Sequence, residues 1–123
     1  MRVASWNLMG RSGRAAASLG LLLHDRGGAD LVLLQEASRR GMEKFIEAAG
    51  LDWSLHIRDV APEMLSERGR SGKKGGRGRP RSVALAGRGE PAPNPEVFPN
   101  VPLPEKVMAA TVQLDGVDTT VVT

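Results

Sequence analysis

Asn7 and Glu36 are the residues of this chain whose types and spacing suit chemistry done together. A carboxylate and an amide oxygen side by side suit a hard divalent cation such as Mg²⁺ or Mn²⁺. Such a cation takes oxygen ligands and keeps several of its waters. Bringing the two together requires a particular arrangement. Residues 2–7 (RVASWN) read as a strand ending in Trp6-Asn7, and residues 30–35 (DLVLLQ) as a strand followed at once by Glu36. If these strands are parallel neighbours, their carboxyl ends lie side by side, where open α/β sheets gather their ligands. A second reading stays open on the residues alone. Glu36 also stands where a first-turn acid would open the next helix, an arrangement worth about 0.3–1 kcal/mol.

The elements between and after these residues fit the arrangement. Residues 12–26 read as a helix with Ser12 as its cap. Ala15, Leu19, Leu22 and Leu23 share one face, and Gly27-Gly28 is the stop. Leu31 to Leu34 form a continuous apolar run, as in a strand covered on both faces. A second helix is predicted over 38–49, capped by Ser38, striped by Met42, Phe45, Ile46 and Ala49, and stopped at Gly50. Strand–helix–strand order implies a right-handed crossover between parallel strands.

Past residue 50 the pattern changes. Residues 51–58 alternate, with Leu51, Trp53, Leu55 and Ile57 on one face and Asp52, Ser54, His56 and Arg58 on the other, so His56 is expected at the surface. Residues 59–80 read as a long loop and 81–86 as a short strand. Pro91, Pro93, Pro95, Pro99 and Pro102 make 87–104 an extended loop, with Pro104 at the entry to the next strand. Residues 106–114 and 117–122 are strands joined by Asp115-Gly116, a strong hairpin signal. The chain reaches Thr123 still in β character, which is expected of an incomplete domain.

Composition bounds the function. The 123 residues are 41% hydrophobic and 25% charged, the balance of a globular protein. No apolar run approaches the length of a membrane-spanning helix. With no cysteine and two histidines, disulfides, Cys-ligated metal sites and a three-His zinc site are excluded. The amino end starts a strand rather than a signal peptide, so a cytoplasmic chain is expected. The net charge of +3 conceals a separation: residues 66–81 carry seven Lys or Arg and one acid, a local +6, which leaves the rest at −3. Arg68, Arg70, Lys73, Lys74, Arg77, Arg79 and Arg81 alternate with glycine and with no aromatic residue. Such a segment contacts phosphate rather than stacking on bases, or it is a solvated loop. Arg39 and Arg40 either approach a phosphate near Glu36 or solvate the second helix.

Two segments, MRVASWNLMG at 1–10 and ADLVLLQEAS at 29–38, resemble the endonuclease/exonuclease/phosphatase superfamily of DNase I-like, metal-dependent phosphodiesterases. RSVALAGRG at 81–89 and KVMAATVQLDGVDTTVV at 106–122 resemble later strands of that family. The resemblance implies a four-layer α/β sandwich, of which residues 1–123 would be the amino-terminal portion, with 66–81 a basic loop within it. It implies that Glu36 binds the metal, Mg²⁺ or Mn²⁺, and that Asn7 helps position metal and scissile phosphate, both as catalytic residues. It implies hydrolysis of a phosphodiester, with nucleic acid as the expected substrate. The family's catalytic His–Asp pair has no counterpart here: neither His24 nor His56 lies in a matching motif, so the chain alone is expected to be inactive. The inner face of its first sheet is expected to be bare. Two other functions stay open: a non-catalytic nucleic-acid-binding module working through 66–81, and a phosphatase acting on phospholipid or inositol phosphate.

Overall fold

The computed structural model describes residues 1–64, 82–89 and 93–123, so the basic segment 66–81, with Arg68, Arg70, Lys73, Lys74, Arg77, Arg79 and Arg81, lies outside the described residues. The chain is mixed α/β. Its elements are β1 (Val3–Asn7), α1 (Gly13–Asp25), β2 (Leu31–Ala37), α2 (Arg39–Ala49), β3 (Trp53–His56), α3 (Ile57–Val60), β4 (Ser82–Gly87), β5 (Pro95–Val97), β6 (Met108–Leu114) and β7 (Val117–Val122). Strands order as β1-β2-β4-β3 in one sheet and β5-β6-β7 in another. β1 and β2 are parallel, with Val3 beside Leu31 and Asn7 beside Gln35, and the intervening helix supplies the crossover that parallel neighbours need. β4 runs antiparallel to both β2 and β3.

The apolar run in β2 is explained by what covers it. Val32 and Leu34, with Ala84 and Ala86 of β4, pack under Leu23 of α1 and Met42, Phe45 and Ala49 of α2. Leu33 faces the other way, toward a second core of Val83, Leu85, Ile57, Met108 and Ala110. Two faces buried at alternate residues leave no polar position in the run. The layers are therefore helices, sheet, sheet. The expectation that the first sheet's inner face is bare is corrected over β2, β3 and β4, because β6 and its neighbours lie on it. It holds at β1, where Val3, Ser5 and Asn7 are exposed.

Ser38 caps α2 by accepting a hydrogen bond from the Gly41 backbone N–H at 3.0 Å, and Gly50 ends the helix in the left-handed conformation. Ser12 stands at the start of α1 without a side-chain bond. The inward face of α1 differs from the one expected. Ala16, Gly20 and Leu23 are buried, whereas Ala15 and Leu22 are exposed. Size decides this: a Cβ on Gly20 would run into the Phe45 carbonyl of α2, so the helices touch through their smallest residues. Asp115 and Gly116 both have positive φ, the turn that matches the twist of a hairpin. β5 lies inside the proline-rich stretch that reads as loop, and pairs with β6. Pro95 is tolerated because β5 is an edge strand. No helix among the described residues is long and apolar enough to cross a membrane.

Candidate functional site

The parallel register sets Asn7 and Gln35 side by side and brings Glu36 to the same sheet end. The Asn7 amide then does two things. Its Oδ1 accepts a hydrogen bond from the Met9 backbone N–H at 2.7 Å, and its Nδ2 donates to Glu36 Oε1 at 3.3 Å. The first bond is an Asx turn, which starts the sharp reversal after β1. The second turns the Glu36 carboxylate toward β1. One side chain therefore shapes the loop and aims the acid.

Glu36 sits in an unusual backbone conformation, with φ of 48°. The left-handed region costs an ordinary L-residue about 1–2 kcal/mol. The β2–β4 register shifts between Leu34 and Ala37, so Glu36 lies in a bulge where one strand outruns its partner. Backbone bonds hold it there: the Leu8 N–H donates to the Gln35 carbonyl and the Gly10 N–H to the Glu36 carbonyl, each at 2.9 Å. The loop is also pressed against α2, since a Cβ on Gly41 would meet the Arg11 carbonyl. Bulges re-aim side chains beside functional sites. Here the bulge brings Glu36 within reach of the Asn7 amide, although Glu36 is not its cross-strand partner.

Around this pair the surface is polar. Gln35 Nε2 donates to Ser5 Oγ at 3.1 Å and to Thr123 Oγ1 at 3.3 Å, so the end of β7 lies next to Glu36's neighbour. The donor set fits one class of cation. Among the described residues no group of three or more His, Cys, Asp and Glu comes together. A single carboxylate with an amide beside it, at an accessible strand end, suits Mg²⁺ or Mn²⁺, bound through one or two carboxylates with waters and substrate phosphates completing the shell. A closed zinc site needs four protein ligands and does not fit.

The remaining candidates fall elsewhere. Arg39 Nε lies 3.5 Å from Glu43 and 3.3 Å from Asp59, an exposed cluster that turns it toward α3. Arg40 is exposed on α2, and His24 is exposed on α1.

His56 is corrected: it is 1% exposed, not a surface residue. The alternation itself holds through His56, which lies on the face opposite Leu55, but at this end of β3 that face is covered and the ring meets Ala37. Its face is the helix side of the sheet, beside Ala84. Nδ1 accepts from the Arg58 N–H at 3.1 Å and Nε2 lies 2.9 Å from the Ala37 carbonyl, which only the neutral ring with its proton on Nε2 satisfies. Sequence reasoning misses this role, because alternation marks a face without showing what covers it.

Burial lowers the His56 pKa below its ordinary 6.5; the Ala37 carbonyl and Asp59 oppose the shift, and Arg58 and Arg39 add to it. The unfolded chain thus takes up this proton at a higher pH than the folded one. His56 contributes stability in full above about pH 6.5, and that contribution is lost as pH falls from there toward the folded value. Urea midpoints measured at pH 7.5 and 5.5 should fall with acidification, and His56→Gln should flatten the dependence. An equal slope in the variant would assign it to other groups.

No family model, curated protein or solved structure matches the chain.

Proposed function

We propose that this chain carries the amino-terminal half of a metal-dependent phosphodiesterase of the DNase I-like type, a nuclease, with Asn7 and Glu36 as its metal-binding end. The observation that carries the reading is the Asn7 Nδ2 to Glu36 Oε1 bond across adjacent parallel strands, made from a bulged, positive-φ glutamate. A glutamate that merely opened α2 needs neither feature, and the cap of α2 is Ser38. The layer order of helices, sheet, sheet accords with half of a four-layer sandwich.

In this reading Glu36 supplies the anionic oxygen, and Asn7 orients it while leaving a lone pair on Oδ1. A bound Mg²⁺ or Mn²⁺ would offset charge on the phosphoryl oxygens and in the transition state. Activating a water requires a base within hydrogen-bond reach. His24 lies on α1, and both ring nitrogens of His56 are engaged. The chain alone therefore binds metal without hydrolysing phosphodiesters.

Mn²⁺ binding, read by electron paramagnetic resonance, is the test. The chain should take up about one Mn²⁺ weakly, as expected for a site with one carboxylate. Glu36→Gln should weaken binding by about tenfold or more, as loss of the only charged ligand requires. Unchanged binding would reject the site.

The basic segment favours a polyanionic substrate over a small phosphate ester. If its seven cations all engage duplex DNA, the logarithm of affinity should fall against the logarithm of salt with a slope of roughly −6. Replacing Arg70, Lys73, Lys74, Arg77 and Arg79 by Ser should remove most of that slope, measured by fluorescence anisotropy. An unchanged slope would leave the segment a solvated loop. A steep slope that the Ser variant loses, together with Mn²⁺ binding that Glu36→Gln leaves intact, would favour a non-catalytic binding module.

A further inference from the structure

We propose that His56 is a positioning residue for Glu36, holding the Ala37 carbonyl and thereby the bulge that aims the carboxylate. The functional meaning of this role rests on the reading of Glu36 as a metal ligand. Its structural content stands on observed bonds.

A non-glycine residue in the left-handed region persists only where its surroundings over-determine it. On the amino side the surroundings are clear, because the Leu8 and Gly10 amides clamp the carbonyls of Gln35 and Glu36. On the carboxyl side the chain must return to register at Ala37, opposite Ser82 of β4. Three buried polar side chains lie near that return. Ser38, the next residue, spends its hydroxyl on the Gly41 N–H at the start of α2. The Ser82 hydroxyl is buried and makes no hydrogen bond among the described residues. The His56 ring donates from Nε2 to the Ala37 carbonyl at 2.9 Å. His56 is therefore the side chain that secures the exit from the bulge.

The ring is itself fixed. Nδ1 accepts the Arg58 amide at the start of α3, and β3 pairs with β4 through His56 and Ala84. A strap thus runs from β3 across to the residue next to Glu36. It requires one acceptor and one donor on a rigid frame, which a neutral imidazole provides. Shorter and longer amides separate its two functions. An Asn at this position reaches the Arg58 amide, as Nδ1 does, but falls short of Ala37. A Gln reaches Ala37, as Nε2 does.

The test compares His56→Asn with His56→Gln in the whole chain, with circular dichroism to check folding. Two signals are read: the NMR Cα and Cβ shifts of Glu36 and Ala37, which report φ, and Mn²⁺ affinity. The Asn variant should move the Glu36 and Ala37 shifts and weaken Mn²⁺ binding about tenfold, the range found when a group supporting a ligand is lost. The Gln variant should keep both signals near those of the wild type. Unmoved Glu36 and Ala37 shifts in a folded Asn variant would overturn the proposal, and so would equal displacement in both variants. If the Asn variant does not fold, the Gln variant decides: native shifts support the strap, and displaced shifts overturn it. If the shifts behave as expected while Glu36→Gln leaves Mn²⁺ binding unchanged, the strap stands and the metal reading fails.

Discussion

On the proposed nuclease reading, Glu36→Gln should lower metal-dependent phosphodiester hydrolysis about 10³-fold in a longer protein that carries this chain. A metal ion stabilises transition-state charge by several kcal/mol, and three decades in rate correspond to about 4 kcal/mol. The substitution preserves shape: a glutamine oxygen can still accept from Asn7 Nδ2, and the backbone bonds from Leu8 and Gly10 are untouched. What is lost is the negative charge. Stability should therefore stay within about 0.5 kcal/mol, the usual range for a substitution away from the core. Asn7→Ala should act differently. It removes both the bond to Glu36 and the turn that begins at Met9, so metal affinity and local order should fall together. A Glu36→Gln variant that keeps more than a tenth of the wild-type rate would remove Glu36 from the catalytic machinery.

The proximity of Asn7 and Glu36 is legible in the sequence because it follows from topology. β1 and β2 are joined by a helix long enough for the crossover that parallel neighbours need, and parallel strands end on the same side. The apolar run Leu31–Leu34, the Ser38 cap and the Asp115-Gly116 turn are legible for similar reasons, since each is a local signal with a local cause. The bulge is not. It arises because the β2–β4 register resumes at Ala37 opposite Ser82, and no feature of Gln35-Glu36-Ala37 marks that position. His56 is hidden because alternation assigns a residue to a face and does not show that this face is covered, here on the helix side beside Ala37 and Ala84. The face of α1 is misread when hydrophobicity is weighed and closeness is not; Ala16 and Gly20 face α2 since larger residues would separate the helices. The cover over Leu33 comes from Met108 and Ala110, about 75 positions away, and a pairing of sheets at that distance leaves no local trace.

The largest loss of stability should follow Phe45→Ala, at about 3–5 kcal/mol, because Phe45 is the largest fully buried side chain among the described residues. Phe45 is fully buried and belongs to the same core as Val32, Leu34 and Ala84. Its ring meets Trp6 edge-on, with centroids 6.3 Å apart and planes at 60°. That geometry adds about 0.5–1.5 kcal/mol beyond burial. Domains of this kind hold about 5–15 kcal/mol in all, so the variant should unfold at a much lower urea concentration. The effect should also reach the candidate site, since Trp6 precedes Asn7 and fixes the end of β1 from the helix side. Phe45→Leu keeps most of the volume and should cost less than half as much, leaving the Asn7 side-chain amide signals in place. A double-mutant cycle with Trp6→Leu isolates the ring contact, because the two residues touch and their effects should not add. A Phe45→Ala cost below about 1 kcal/mol would mean that α2 does not anchor β1. The rigidity of the Asn7–Glu36 pair would then have to come from the loop bonds and from His56 alone.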